Sequence, residues 1–103
     1  MSAREIPDTA TVVAAGDLLH SVFGAEAVIL SLKDGVYYGL EDVGARIWSL
    51  LQRPITVAAI GDALVADYEV DPDRCRRDLA ALLKELAARG LVEVRERGDD
   101  AVA

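Results

Sequence analysis

The residue types that build chemical sites are nearly missing from this chain. Its 103 residues include one cysteine, Cys75, and one histidine, His20. No disulfide can therefore close within it, and the ligand set of a zinc site cannot be assembled. Aromatic residues make up only 5%. Cations are scarce too: 11 Lys and Arg stand against 18 Asp and Glu, for a formal charge of -7. A nucleic-acid binder gathers cations to neutralise phosphates, so this balance opposes nucleic acid and strongly acidic partners alike. No apolar run reaches signal or membrane-spanning length, and the start, Met1-Ser2-Ala3-Arg4-Glu5, leads into none. These absences imply a soluble, cytoplasmic protein with no metal, no cofactor and no membrane partner.

What is present is apolar: 52% of the residues are hydrophobic. A chain of this length forms one domain, expected over residues 1–97 with 98–103 as a disordered tail. Such a domain buries roughly 65% of the surface that its unfolded chain exposes, which supplies a core but little material for an enclosed catalytic cleft.

The first half reads as strands. Ala27 to Leu32 is an apolar, β-branched run between Gly24 and the Asp34-Gly35 pair. Asp-Gly between such runs predicts a hairpin with a two-residue loop, which sets Lys33 opposite Val36, Leu32 opposite Tyr37, Leu30 opposite Gly39 and Ile29 opposite Leu40. Asp17 to Phe23 supplies a third antiparallel strand, with Val12 and Val13 as a further start.

The second half turns helical. Val43, Ile47, Leu50, Leu51 and Trp48 form a stripe in a helix that begins at Asp42 and ends before Pro54. Thr56 N-caps a second helix bearing Val57, Ile60 and Leu64, with Tyr68 at its end. Asp71-Pro72-Asp73 starts a third, with a capping acid and proline at the first helical position; Leu79, Leu82, Leu83 and Leu86 follow, and Gly90 stops it. Leu91 to Arg95 is a short last strand. The expected class is thus α+β, like a winged helix-turn-helix: a three-stranded antiparallel sheet, three helices and a short final strand.

Catalytic signals are weak. His20 is the ordinary general base available near neutral pH, but it lies in a predicted strand with no nucleophile motif nearby, and reads as an edge-strand histidine. Cys75 has Arg74, Arg76 and Arg77 as neighbours in the first turns of the third helix; a lone helical cysteine is nevertheless a packing residue in most settings. The three arginines sit on the helix that would enter a DNA groove, yet Asp71, Asp73 and Asp78 dilute them. More informative is the hairpin, since neither of its faces is plainly polar although antiparallel sheets commonly wet one face. Either the amino-terminal segment wraps the second face, or an edge strand with apolar pockets beside it accepts an extended peptide, with Val36, Tyr37, Tyr38 and Leu40 as contacts.

From Asp34 to Leu51 the sequence reads DGVYYGLEDVGARIWSLL. This resembles the PqqD-like family, specifically its free-standing members from lasso-peptide biosynthesis. The likeness continues through Pro54 to Ile60, Val70 to Pro72, and Asp78, Leu79, Leu82, Leu83, Leu86, Gly90, Leu91 and Val92, covering roughly residues 18 to 95. Glu41 departs from the pattern, as many relatives carry Asn there; Asp42 is the residue placed to take over the cap.

The resemblance implies a non-catalytic module, a RiPP recognition element, that binds the leader segment of a ribosomally made precursor peptide. The leader adds as an antiparallel strand and lies in a groove walled by the third helix. The implied partners are the precursor leader, a cysteine peptidase that removes it and, further along, the lasso cyclase. Placed on this chain, the leader-binding residues are Val36, Tyr37, Tyr38, Gly39 and Leu40 on the strand, with Arg74, Cys75, Asp78, Leu79 and Leu82 on the helix. Arg74 or Asp78 would orient the leader by charge, and Tyr38, Leu79 and Leu82 would form an apolar pocket. Two alternatives stay open: a PqqD-like adaptor serving a radical enzyme in cofactor synthesis, and an acidic winged-helix transcription regulator.

Overall fold

Every stretch of period-two patterning becomes a strand and every 3.6-residue stripe becomes a helix in the computed structural model, which describes residues 6–95. The expected tail at 98–103 lies outside the described residues. In chain order the elements are β1 (Thr11–Ala14), β2 (Leu18–Phe23), β3 (Glu26–Ser31), β4 (Tyr37–Glu41), α1 (Val43–Leu50), β5 (Ile55–Thr56), α2 (Val57–Asp67), α3 (Pro72–Ala88) and β6 (Val92–Arg95). They form two antiparallel sheets, one ordered β5-β1-β6 and the other β2-β3-β4.

The strands from Leu18 to Glu41 make the expected three-stranded sheet, but Val12 and Val13 do not extend it. Ala15, Gly16 and Asp17 separate β1 from β2, and β1 instead pairs with β6 and β5, Val12 facing Val94 on one side and Ile55 on the other. This second sheet fastens the amino-terminal strand to the last one. It leaves the outer face of the first sheet unwrapped by β1.

The hairpin register also differs from the expectation. Leu30 pairs with Tyr37, Ile29 with Tyr38 and Ala27 with Leu40, a slip of two residues. Asp34 has no positive φ, so the two-residue turn that needs one at both central positions does not form. Instead, Leu32 to Gly35 make a four-residue loop: Ser31 N–H donates to Val36 O at 3.0 Å, Gly35 N–H to Ser31 O at 2.8 Å, and the Asp34 carboxylate accepts from Val36 N–H at 3.3 Å. A slip of two keeps every side chain on its expected face. The two-residue turn is at Gly24-Ala25 between β2 and β3, with Gly24 alone at positive φ (59°), the pattern of a type II′ hairpin.

The helices follow their caps. Thr56 Oγ1 accepts from Ala59 N–H at 3.1 Å, and the Asp71 carboxylate accepts from Arg74 N–H at 2.9 Å ahead of Pro72. Leu79, Leu83 and Leu86 pack the buried side of α3 against Val57, Ile60 and Leu64 of α2 and Ala45, Ile47 and Trp48 of α1.

Asp42 is the exception. It begins α1 at φ 52°, ψ -116°, and its side chain caps nothing, contrary to the expected role. Its backbone is held by Asp42 N–H donating to Ala25 O at 2.6 Å and Arg46 N–H donating to Asp42 O at 3.0 Å. Among the described residues it is the one non-glycine with positive φ, a conformation costing on the order of 1–3 kcal/mol for an L side chain. Asp42→Gly should therefore stabilise the fold by about 1 kcal/mol, after the flexibility that glycine adds to the unfolded chain. In thermal unfolding this is a rise of about 4–8 °C in Tm.

His20 lies on β2 as expected, but it has a specific structural task. Trp48 is wholly buried, and its indole Nε1–H donates to His20 Nδ1 at 2.6 Å with the rings edge to face. Replacing His20 with Leu strands that buried donor, and urea unfolding should show a loss of about 1–3 kcal/mol.

Candidate peptide-binding groove

Antiparallel pairing decides which main-chain groups of β4 are used. The bond from Ser31 N–H to Val36 O, and that from Asp42 N–H to Ala25 O, mark the hydrogen-bonded pairs of the β3–β4 ladder. By alternation, Tyr38 and Leu40 turn their N–H and C=O toward β3, whereas Tyr37, Gly39 and Glu41 turn theirs outward. β4 is the edge of its sheet, so these outward groups form a row that another strand can join. β2 is the other edge.

The surroundings distinguish the two edges. Next to β4 lies a hollow of about 400 Å³ bordered by Val28, Gly39, Leu40, Glu41, Gly44 and Leu82. It adjoins a larger cleft of about 570 Å³ between α1 and α3, lined by Val43, Ile47, Leu64, Leu79 and Leu82 with Asp71, Arg74, Cys75 and Asp78 among its borders. Gly44 and Leu82 belong to both, so the hollows meet beneath β4. Beside β2 the hollow is more polar, bordered by Asp42, Arg46 and Ser49.

Leu82 is set up for this position by helix geometry. Leu79, Leu83 and Leu86 take the core side of α3, and Leu82, one turn from Leu79 and Leu86, is left half-buried at the groove. Arg74 and Asp78 lie four residues apart on the rim, 3.9 Å from each other and both well exposed. A pair in that setting is screened and adds little stability, so either charge remains available to a partner.

The groove brings together Gly39, Leu40, Arg74, Cys75, Asp78, Leu79 and Leu82 of the expected site. Val36, Tyr37 and Tyr38 border neither hollow, and Val36 precedes β4, whose span is Tyr37–Glu41 rather than Val36 to Leu40. Tyr37 is 68% exposed on the outer face of the sheet. Tyr38 faces inward, but it meets Arg89 rather than the cleft: the guanidinium lies 5.4 Å from its ring centroid, and Glu85 holds the same guanidinium at 3.4 Å. Hydrogen bonding with Tyr38 raises the Arg89 pKa above its ordinary value, burial opposes this, and Glu85 adds to it. This link joins the end of α3 to β4.

Sequence reasoning missed Val43, Gly44, Ile47 and Leu64 as lining residues. Val43, Ile47 and Leu64 fall on the apolar stripes of α1 and α2, and a stripe that serves both core and groove carries no separate signal. His20 is engaged by Trp48, and among the described residues no group of three or more His, Cys, Asp and Glu is placed to hold a metal ion. Among the described residues, no helix is long and apolar enough to cross a membrane.

The groove makes one fold-level prediction. Arg89→Ala frees the Tyr38 ring and should speed its flipping, so that the Tyr38 ring resonances average and sharpen in NMR spectra while α3 stays helical by circular dichroism.

Comparison with known proteins agrees with this architecture. The family model described as coenzyme PQQ synthesis protein D (PqqD) matches residues 26–92. Among solved structures, "TbiB1 in Complex with the TbiA(beta) Leader Peptide" is 38% identical, with a TM-score of 0.75 over 79% of this chain and 94% of that one. "Lasso peptide synthetase B1 complexed with the leader peptide" is 26% identical, with a TM-score of 0.71 over 80% of this chain and 96% of that one. Curated protein sequences returned no match. The family model spans most of the chain, including β3, β4 and the three helices that form the groove: the chain belongs to the PqqD family.

Proposed function

We propose that this chain is a non-catalytic adaptor that binds the leader segment of a lasso-peptide precursor by strand addition to β4 and presents it to a separate leader peptidase. The observation that carries the reading is the row of outward main-chain groups at Tyr37, Gly39 and Glu41, set beside an apolar cleft. Main-chain bonds to that row give affinity and register, and the pockets read side chains. Both similar solved structures are named as complexes with leader peptides, which supports the same use of this groove.

Presentation needs a second surface. Leu19, Phe23, Val28 and Tyr37 are exposed on the outer face of the β2-β3-β4 sheet, and Leu30 stands between Leu19 and Tyr37. A contiguous exposed apolar patch marks an interaction site. We assign this face to the peptidase because an added leader strand extends the same sheet, so a protein seated there meets the leader as well. The family description also fits an adaptor for a radical enzyme in cofactor synthesis. Genes next to this one separate the two: a cysteine peptidase and a cyclase in one case, a radical enzyme in the other.

A labelled synthetic leader from the precursor encoded next to this chain should bind saturably in fluorescence polarisation, with Kd below about 10 μM. Leu82→Asp places a charge in the apolar groove and should weaken binding by about tenfold or more, or 1.4 kcal/mol. Leu82→Ala should act in the same direction with a smaller effect. Unchanged affinity in a folded Leu82→Asp protein would remove the pocket from the account. Leu19→Glu, on the opposite edge strand of the sheet, should leave leader affinity intact and abolish stimulation of the peptidase. Tight binding of duplex DNA with a steep salt dependence would replace the whole reading with a transcription regulator.

A further inference from the structure

Gly39 is the middle residue of the free edge of β4, and nothing among the described residues requires it. Glycine weakens a strand interior, because it loses the most conformational freedom on folding and offers no side chain to pack. It is required where φ is positive or where a Cβ would collide. The positive-φ glycines are Gly24, Gly35 and Gly90, so Gly39 has an ordinary strand backbone. A Cβ at Gly39 would meet nothing within 4 Å. What remains is an approach from outside the chain.

The register says what would fill the space. Gly39 lies on the outer face between Tyr37 and Glu41 and pairs with Val28, which is 36% exposed. A gap one side chain wide therefore opens from the free edge across Gly39 onto an apolar residue. In the next row, Glu41 pairs directly with Glu26, so two carboxylates border one side of the gap and disfavour an acidic occupant.

Resting on the leader-binding reading, we propose that Gly39 is a specificity-determining position: its gap receives a large apolar side chain, aromatic or long aliphatic, from the leader residue that pairs with it. Strands stand about 4.8 Å apart, so a side chain on an added strand must lean about one strand spacing, across Gly39, to touch the side chain of Val28. An aromatic or long aliphatic residue has that reach; Ala and Ser do not. Large side chains lying across a neighbouring glycine are a known way to recover the packing that the glycine lacks. The outward N–H and C=O of Gly39 would bind the main chain of that same leader residue, which holds its side chain over the gap.

The test compares the unmodified chain with Gly39→Ala, Gly39→Val and Gly39→Leu, using the labelled leader and a set of its single alanine variants. All three proteins should fold, with Tm no lower than the parent, because the added atoms enter open space. Affinity should fall as the side chain grows, by about tenfold at Val. One large apolar leader residue should cost the parent chain affinity when cut to Ala but cost Gly39→Val much less, a coupling that a double-mutant cycle reads directly. Gly39→Ala, one methyl group, carries the test should the larger variants fail to fold. Parent-like affinity in folded Gly39→Val and Gly39→Leu, or the absence of any leader residue coupled to position 39, overturns the proposal. Failure of the parent chain to bind the leader would overturn instead the reading on which it rests.

Discussion

An unpaired strand edge governs the rest of this molecule. Outward N–H and C=O groups are ordinarily a liability, since they template pairing with any extended chain. In this chain one such edge is kept short and lies beside a cleft whose far wall is α3, so the hazard is confined to partners that also fit the cleft. The proposed strand addition uses the same row. It explains why a module without a base, nucleophile or metal set can still be selective: main-chain bonds are indifferent to sequence, and discrimination is left to the pockets on either side of the strand.

Much of the remaining structure holds that edge at a fixed distance from α3. Leu79, Leu83 and Leu86 anchor the helix in the core while Leu82, on the neighbouring stripe, is left to the groove. At the end of α3, Arg89 lies over the Tyr38 ring and links helix to strand. Between β4 and α1 the chain turns at Asp42, whose positive φ is accepted in place of the glycine that would adopt it freely. β1 closes the second sheet, joining the ends of the domain away from the groove.

Period and caps made the helices legible. Thr56 and Asp71 cap where expected, and the leucines of α3 divide between core and groove as their spacing implies. The strands of the β2-β3-β4 sheet were legible for the same reason. Its register was not, because Asp34-Gly35 is equally compatible with a two-residue turn and a four-residue loop, and the ladder bonds choose between them. β5, two residues long, and the pairing of β1 with β6 rest on long-range contacts that leave no local pattern. On the site, residues 74, 75, 78, 79 and 82 share one face of α3 and border the cleft, whereas the Tyr38 ring lies under Arg89, a contact that the sequence does not show because a half-buried tyrosine looks the same whether it meets a ligand or an arginine.

The acidity of the chain also takes on a role. A helix-turn-helix with charge -7 is unsuited to the phosphate backbone that most such folds engage, but net charge does not hinder an interface built from main-chain bonds and apolar pockets. The most direct test of the central claim is amide hydrogen exchange, residue by residue, with and without the leader. Strand addition at β4 predicts that the amides of Tyr37, Gly39 and Glu41 become protected on binding, while those of Tyr38 and Leu40, already paired with β3, change little. New protection at Leu18, His20 and Val22 on the β2 edge, or no alternation along β4, would contradict it.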